Sequence, residues 1–136
     1  MHRRTLLAAG LVSLPLPAVA RQARQARQTA LAGLTVVNVA AKDCFYCVAW
    51  TIQSKPAWLD SREYKRVRYV EIDAPTVKRA YVADYWGDLA FVIDALPRKN
   101  GTPRFLLLRD GAVVFNEFGM SGWPKLLDEL RTKHLA

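Results

Sequence analysis

The chain has 136 residues, 51% of them hydrophobic and 24% charged, with a formal net charge of +8. That balance suits one globular domain with its own core and excludes a disordered chain. Arg3 and Arg4 fall in an expected leader, and taking their two charges from eight leaves +6. Arg21, Arg24 and Arg27 share one short stretch, and the remaining excess is spread thinly. A solvated basic surface accounts for it. No arginine-rich helix or interleaved aromatic platform argues for nucleic acid.

Residues 1–20 read as an export signal. Arg3 and Arg4 make a short basic start, residues 5–16 are apolar, and Ala18, Val19 and Ala20 match a small-x-small cleavage pattern. The apolar run is shorter than the roughly 20 residues a membrane span needs. Cleavage after Ala20 and a periplasmic location are expected. The paired arginines keep the twin-arginine route open beside the general secretory one, and Arg21, next after the cut, leans toward it. Residues 21–28 form a three-residue near-repeat of Arg, Gln and Ala. That spacing gives no stable apolar face, so residues 21–33 are expected to be a basic tail or linker, with the domain over 34–136.

Residues 34–39 are mostly β-branched and bounded by Gly33, as a buried strand would be. A helix is expected from Cys44 to about Lys55, interrupted at Pro56, with a second helical piece over 57–64. Residues 67–73 have strand composition and stop before Pro75. Val77, Tyr81, Tyr85, Leu89, Val92 and Leu96 recur at three or four, which predicts a long amphipathic helix that can break at Gly87. Tyr81, Tyr85, Trp86 and Phe91 on it read as core. Residues 97–101 are a loop. Residues 104–108 and 112–118, joined by Asp110-Gly111, predict an antiparallel hairpin. A last helix opens near Trp123, with Leu126, Leu127 and Leu130 inward and Arg131, Lys133 and His134 near its end.

Cys44 and Cys47 are the two cysteines of the chain, at the turn from the first strand into the first helix. There a thiol meets free helix N–H groups and the positive end of the helix dipole, which favour a thiolate. The second thiol lies one turn on, in reach of a mixed disulfide on the first. As a structural staple the pair would do little, because so short a loop removes little unfolded-state entropy.

The element order, with Cys44-Phe45-Tyr46-Cys47 after the first strand and Thr102-Pro103 before the hairpin, resembles the thioredoxin superfamily over residues 34–135. Residues 105–111 are similar to the start of that family's hairpin. The resemblance implies an α/β three-layer sandwich, a mixed sheet of about four strands with helices on both faces. It implies that Cys44 attacks, that Cys47 resolves, and that Pro103 is cis and lies against the dithiol, leaving the backbone at Thr102 to pair with an extended substrate. Phe45 and Tyr46 would join Thr102 and Pro103 in contacting that substrate.

Three positions depart from the family. Asp43 stands where a tryptophan is usual, Asn38 where a buried aspartate is usual, and Tyr69 at the position of that aspartate's lysine partner. Asn38 cannot take a proton from Cys47 as a carboxylate can. These departures resemble the superfamily's exported branches more than cytosolic thioredoxin. Asp43 can raise the Cys44 pKa as a negative neighbour, or satisfy backbone N–H groups at the helix start.

The expected function is a periplasmic thiol–disulfide oxidoreductase. It would act on disulfide-bearing or dithiol protein substrates, more as a reductase than as a strong oxidant, with a membrane electron-transfer partner. The alternative is a thioredoxin-like binding module that holds Cu(I) or a partner protein through the same thiols. No second Cys pair and no Met-rich tract accompany them, and His2 and His134 are remote in sequence, so neither a zinc site nor another metal or cofactor is expected. No Ser-His-Asp set, phosphate-binding glycine loop or carboxylate dyad stands out.

Overall fold

The computed structural model describes residues 16–136. Most of the expected leader, residues 1–15, lies outside the described residues.

A helix, α1, spans Leu16–Ala30, where the sequence suggests an unstructured tail from residue 21. The three-residue repeat lacks an apolar stripe, but Ala, Gln and Arg are all good helix formers and no Gly intervenes before Gly33. The side chains described from Pro17 to Gln25 are mainly exposed, and anchoring begins at buried Leu31.

Four strands follow: β1 (Leu34–Ala41), β2 (Arg68–Ala74), β3 (Arg104–Arg109) and β4 (Ala112–Phe118). They form one sheet in the order β2-β1-β3-β4. β1 pairs β2 in parallel, with Asn38 opposite Glu71, and pairs β3 antiparallel, ending at Val39 opposite Arg104. β1 and β3 are central and buried on both faces, which is why both read as near-continuous apolar runs. The β3–β4 turn has positive φ at Asp110 (51°) and Gly111 (81°), as a tight hairpin requires. The Asp110 carboxylate accepts the Gly33 N–H at 2.7 Å, and Asp110 N–H donates to the Gly33 carbonyl at 2.9 Å, clasping the turn to the start of β1.

One face of the sheet is covered by α2 (Phe45–Gln53), α3 (Lys55–Leu59) and α4 (Gly122–Glu129). Trp50, Trp58 and Trp123 meet there edge to face, with centroids 5.1 Å apart for Trp50–Trp123 and Trp58–Trp123, above Val36, Phe105 and Leu107. α3 has Pro56 in its first turn and is shorter than the piece expected over 57–64, which ends instead in a 3₁₀ turn at Tyr64–Arg66. Leu126 and Leu130 are fully buried beneath α4 and its π-helical extension, Leu130–His134, while Leu127 is half-buried.

The other face corrects an expectation. Residues 77–96 do not form a long α-helix but three 3₁₀ segments, Val77–Arg79, Ala83–Tyr85 and Gly87–Ala95. Val82 is extended, Gly87 takes φ of +55°, and the Trp86 indole N–H donates to the Ala80 carbonyl at 2.8 Å, so no α-helix can run through. Bonds such as Leu89 N–H to the Trp86 carbonyl (2.9 Å) close three-residue turns instead. Leu89 with Val92, and Ile93 with Leu96, still point inward, because three-residue spacing suits a 3₁₀ helix too. They pack with Trp86 on Val37, Val39, Ile72, Leu106 and Leu108. The expected three-layer α/β architecture is therefore present, with 3₁₀ segments for a helix on one side.

Candidate active site

Cys44 ends the loop from β1 and is the N-cap of α2, with φ −90° and ψ 108°. The loop turns on a Cys44 N–H to Ala41 carbonyl bond of 3.2 Å and is tied to β2 by Lys42 N–H on the Ala74 carbonyl at 2.9 Å. Cys44 and Cys47 are joined in a disulfide, their Cα atoms 5.2 Å apart. Cys44 Sγ also accepts the Cys47 N–H at 3.2 Å, the place a capping oxygen takes in other helices. A Cys44 thiolate formed on reduction would inherit that donor and the helix dipole. Cys44 keeps 6% of its surface and Cys47 4%, so the pair is largely buried at the helix tip.

Phe45 and Tyr46, between the cysteines, are exposed, Phe45 at 78%, and their rings meet edge to face at 5.4 Å. Val48 and Ile52 continue Phe45 along the outer side of α2 at spacings of three and seven and are exposed too. This apolar stripe went unread in the sequence. Its signal was a helix apolar on nearly all sides, with Cys47 and Trp50 already facing in.

Thr102-Pro103 has the cis peptide bond that the resemblance implies. The β1–β3 ladder ends at Val39 and Arg104, so Pro103 lies beside the carboxyl end of β1, from which the cysteine loop departs. Pro103 is buried and its carbonyl accepts the Gly119 N–H at 2.8 Å. Thr102 is half-buried, and its Oγ1 has no partner among the described residues. All six residues singled out from sequence thus lie on the cysteine loop, the start of α2, or the turn beside β1.

No protein-family model and no curated protein matches the sequence. Solved structures do match. Thioredoxin from Aeropyrum pernix aligns at TM-score 0.54 and 17% identity, over 79% of this chain and 81% of its own. Thioredoxin NaTrxh from Nicotiana alata aligns at 0.51 and 22%, over 84% of each chain. Malassezia sympodialis thioredoxin (Mala s 13) aligns at 0.51 and 17%, over 80% of this chain and 85% of its own. The chain has the thioredoxin fold.

In this thioredoxin fold the departures take definite places. The Asp43 carboxylate does not cap α2. It accepts the Val77 N–H at 2.8 Å and pins the first 3₁₀ segment to the cysteine loop. Asn38 is buried, and neither its Oδ1 nor its Nδ2 has a partner among the described residues. Tyr69 lies on the same face of the sheet, and burial, with the nearby Glu71 charge adding to it, pushes its phenol up from the ordinary tyrosine value. Glu71 is held by Lys55 of α3 at 2.6 Å. A cleft of about 390 Å³ opens beside Cys47 and is lined by it, Thr51, Lys55, Glu71 and Asp73 among others.

Arg104, directly after Pro103, also went unread. It is fully buried. Its guanidinium donates to Asn116 Oδ1 at 2.7 Å, to the Arg98 carbonyl and to the Tyr81 hydroxyl at 3.4 Å, and sits 4.3 Å from the Phe118 ring centroid. Tyr81 in turn donates to the Gly101 carbonyl at 2.7 Å. The turn bearing Thr102-Pro103 is thus held from beneath by a cation with no carboxylate partner among the described residues. A charged residue at the head of a buried run was its one sequence signal. Among the described residues no group of three or more His, Cys, Asp or Glu could hold a metal, and no helix is long and apolar enough to cross a membrane.

Proposed function

We propose that the protein is a thiol–disulfide oxidoreductase acting on protein substrates. The observation that carries this is the Cys44–Cys47 disulfide at the N-terminus of α2, with Thr102-Pro103 alongside. In the reduced protein the Cys44 thiolate attacks one sulfur of a substrate disulfide, releasing the other as a thiolate. Cys47 then attacks Cys44 Sγ and frees the second substrate sulfur. Two electrons pass from the dithiol to the substrate. Among the described hydrogen bonds none uses the Thr102 backbone, which leaves its N–H and C=O to an extended substrate strand. Phe45 and Tyr46 supply exposed apolar contact beside it.

The direction we propose is reductive. Asp43, Phe45 and Tyr46 put no positive charge and no imidazole beside Cys44. The strongest oxidants of this chemistry owe their potential to a specially stabilised thiolate. The basic, apolar, small-residue pattern of residues 1–20 supports export to the periplasm, where a membrane electron donor would restore the dithiol. Reduction of insulin disulfides by dithiothreitol tests the reading. The wild type should accelerate it and Cys44→Ser should not; equal rates refute a catalytic dithiol. Stoichiometric copper retained on purification, without reductase activity, would point to the binding role instead.

A further inference from the structure

We propose that the protein prefers substrates whose disulfide lies among acidic side chains, selected by a belt of cations that the fold gathers beside the dithiol. The inference rests on the oxidoreductase reading and names the substrate class of that site.

Along the sequence the positive excess looks thinly spread. From residue 34 onward, fifteen lysines and arginines stand against twelve carboxylates, a net of +3. Three segments bordering the site hold all of it. The cysteine loop (41–44) carries Lys42, the first 3₁₀ segment with its flanks (76–82) carries Lys78 and Arg79, and the loop into Thr102-Pro103 (97–103) carries Arg98 and Lys99. Asp43 is their one carboxylate, so the three segments sum to five minus one, or +4, and the rest of the domain to −1. Setting Asp73, in the cleft beside Cys47, and Asp84, past Val82, against them still leaves +2.

Hydrogen bonds bring the segments together. The Val77 N–H donates to the Asp43 carboxylate at 2.8 Å and ties the 3₁₀ segment to the cysteine loop. The Tyr81 hydroxyl donates to the Gly101 carbonyl at 2.7 Å and ties the same stretch to the loop before Pro103. All five cations are exposed, and none forms an ion pair among the described residues. Two are held by rings. The Arg79 guanidinium lies 5.3 Å from the Tyr85 centroid and that of Arg98 4.9 Å from the Phe118 centroid. A guanidinium already oriented loses less freedom when it meets a carboxylate. Unpaired cations beside a reactive pair speed the encounter with an acidic partner and penalise a basic one. They border a dithiol that acts on protein disulfides, so an acidic protein surface is the occupant they fit.

Three peptides with the same internal disulfide, flanked by Glu, Gln or Lys, test this. Each is mixed in excess with the reduced full chain, the reaction is quenched with acid, and oxidation of the dithiol is counted by mass spectrometry. One turnover oxidises Cys44 and Cys47 and reduces the peptide disulfide. At low salt the Glu peptide should react about tenfold faster than the Lys peptide, the low end of what electrostatic steering gives. The gap should close towards about 1 M salt, where charges are screened beyond about 3 Å. Arg98→Gln with Lys99→Gln removes two of the five charges and should cut the Glu-to-Lys ratio about two- to threefold. Arg62→Gln with Lys65→Gln removes as much charge from the stretch before β2, at the end of the sheet opposite the cysteine loop, and should keep the ratio.

Equal rates for the three peptides overturn the inference. So does a ratio that salt does not alter, or one that falls as far in the Arg62/Lys65 variant as in the Arg98/Lys99 variant. Phosphatidylglycerol vesicles that bind the wild type but not the Arg98/Lys99 variant, with the peptides reacting alike, would assign the cations to a lipid surface instead. In each of these cases the reaction with the Gln peptide still stands, and the oxidoreductase reading survives. A wild type that no peptide oxidises removes that reading and this one with it.

Discussion

Replacing Arg104 by alanine should be costly, because a buried guanidinium holds together the turn beside the dithiol. The substitution strips the donor from Asn116 Oδ1, 2.7 Å away, and from the Arg98 carbonyl, both in partly buried bonds. Leaving a buried acceptor unsatisfied costs about 1–3 kcal/mol. The contact with the Phe118 ring at 4.3 Å adds about 0.5–2 kcal/mol. Against this, Arg104 Nη2 is itself buried without a partner, and removing it returns about 1–3 kcal/mol. The net loss is about 2–4 kcal/mol, within the 5–15 kcal/mol of a typical domain, so the protein should still fold. With a urea slope of about 1–3 kcal/mol per molar, the unfolding midpoint should fall by roughly 1–2 M. Arg104→Lys separates charge from shape. A lysine keeps the positive charge but cannot fork between Asn116 and Arg98, so it should recover less than half of the loss. An alanine variant that unfolds at the wild-type midpoint, or a lysine variant that restores it fully, would refute this account of the turn.

Three further outcomes are expected. Asp43→Asn keeps an acceptor for the Val77 N–H and should change stability by less than about 0.5 kcal/mol. By removing a negative neighbour it should raise the thiolate fraction of reduced Cys44 at a given pH, read from ultraviolet thiolate absorbance; an unchanged titration would discard Asp43 as an electrostatic influence. The forked Arg68–Asp88 pair, 2.9 Å at each arm, holds the Asp88 carboxyl below its ordinary 3.8. A lowered folded value stabilises the protein fully above the unfolded value, and the contribution fades as pH falls through the folded one. Because the partners are 42% and 60% exposed, screening keeps the contribution to about 0.2–1 kcal/mol. Asp88→Asn should lose that much near neutrality and nothing at pH well below 3.8 in urea titrations; a difference independent of pH would contradict it. Gly111→Ala, at φ 81°, should cost about 1–2 kcal/mol by thermal melting, and no change there would mean that the turn can rearrange.

How far these features could be read from sequence depended on how local their causes are. The central strands announce themselves because burial on both faces leaves no polar alternation, and Asp110-Gly111 specifies a turn through its own φ values. The dithiol and Thr102-Pro103 were legible for a similar reason, being short motifs tied to element boundaries. Residues 77–96 misled because recurrence at three or four fits a 3₁₀ helix as well as an α-helix. The choice fell to Val82, Gly87 and the Trp86 bond to Ala80. Arg104 was hidden for the opposite reason. Its partners Tyr81, Arg98, Asn116 and Phe118 come from separate parts of the chain, and nothing in residues 102–106 reveals them. The Glu71 cleft is equally non-local, assembled from α2, α3, β1 and β2.

The proposal stands or falls on Cys44 and Cys47 interconverting reversibly between dithiol and disulfide. Equilibrating the full chain in glutathione buffers of graded ratio, then counting alkylated thiols by mass spectrometry, measures that directly. We expect one two-electron transition in the reducing half of the interval from about −270 to −120 mV spanned by thioredoxin and the strongest oxidant of this chemistry. A midpoint at the oxidising end would contradict the reductive direction, and a pair that never exchanges with glutathione would contradict the redox role itself.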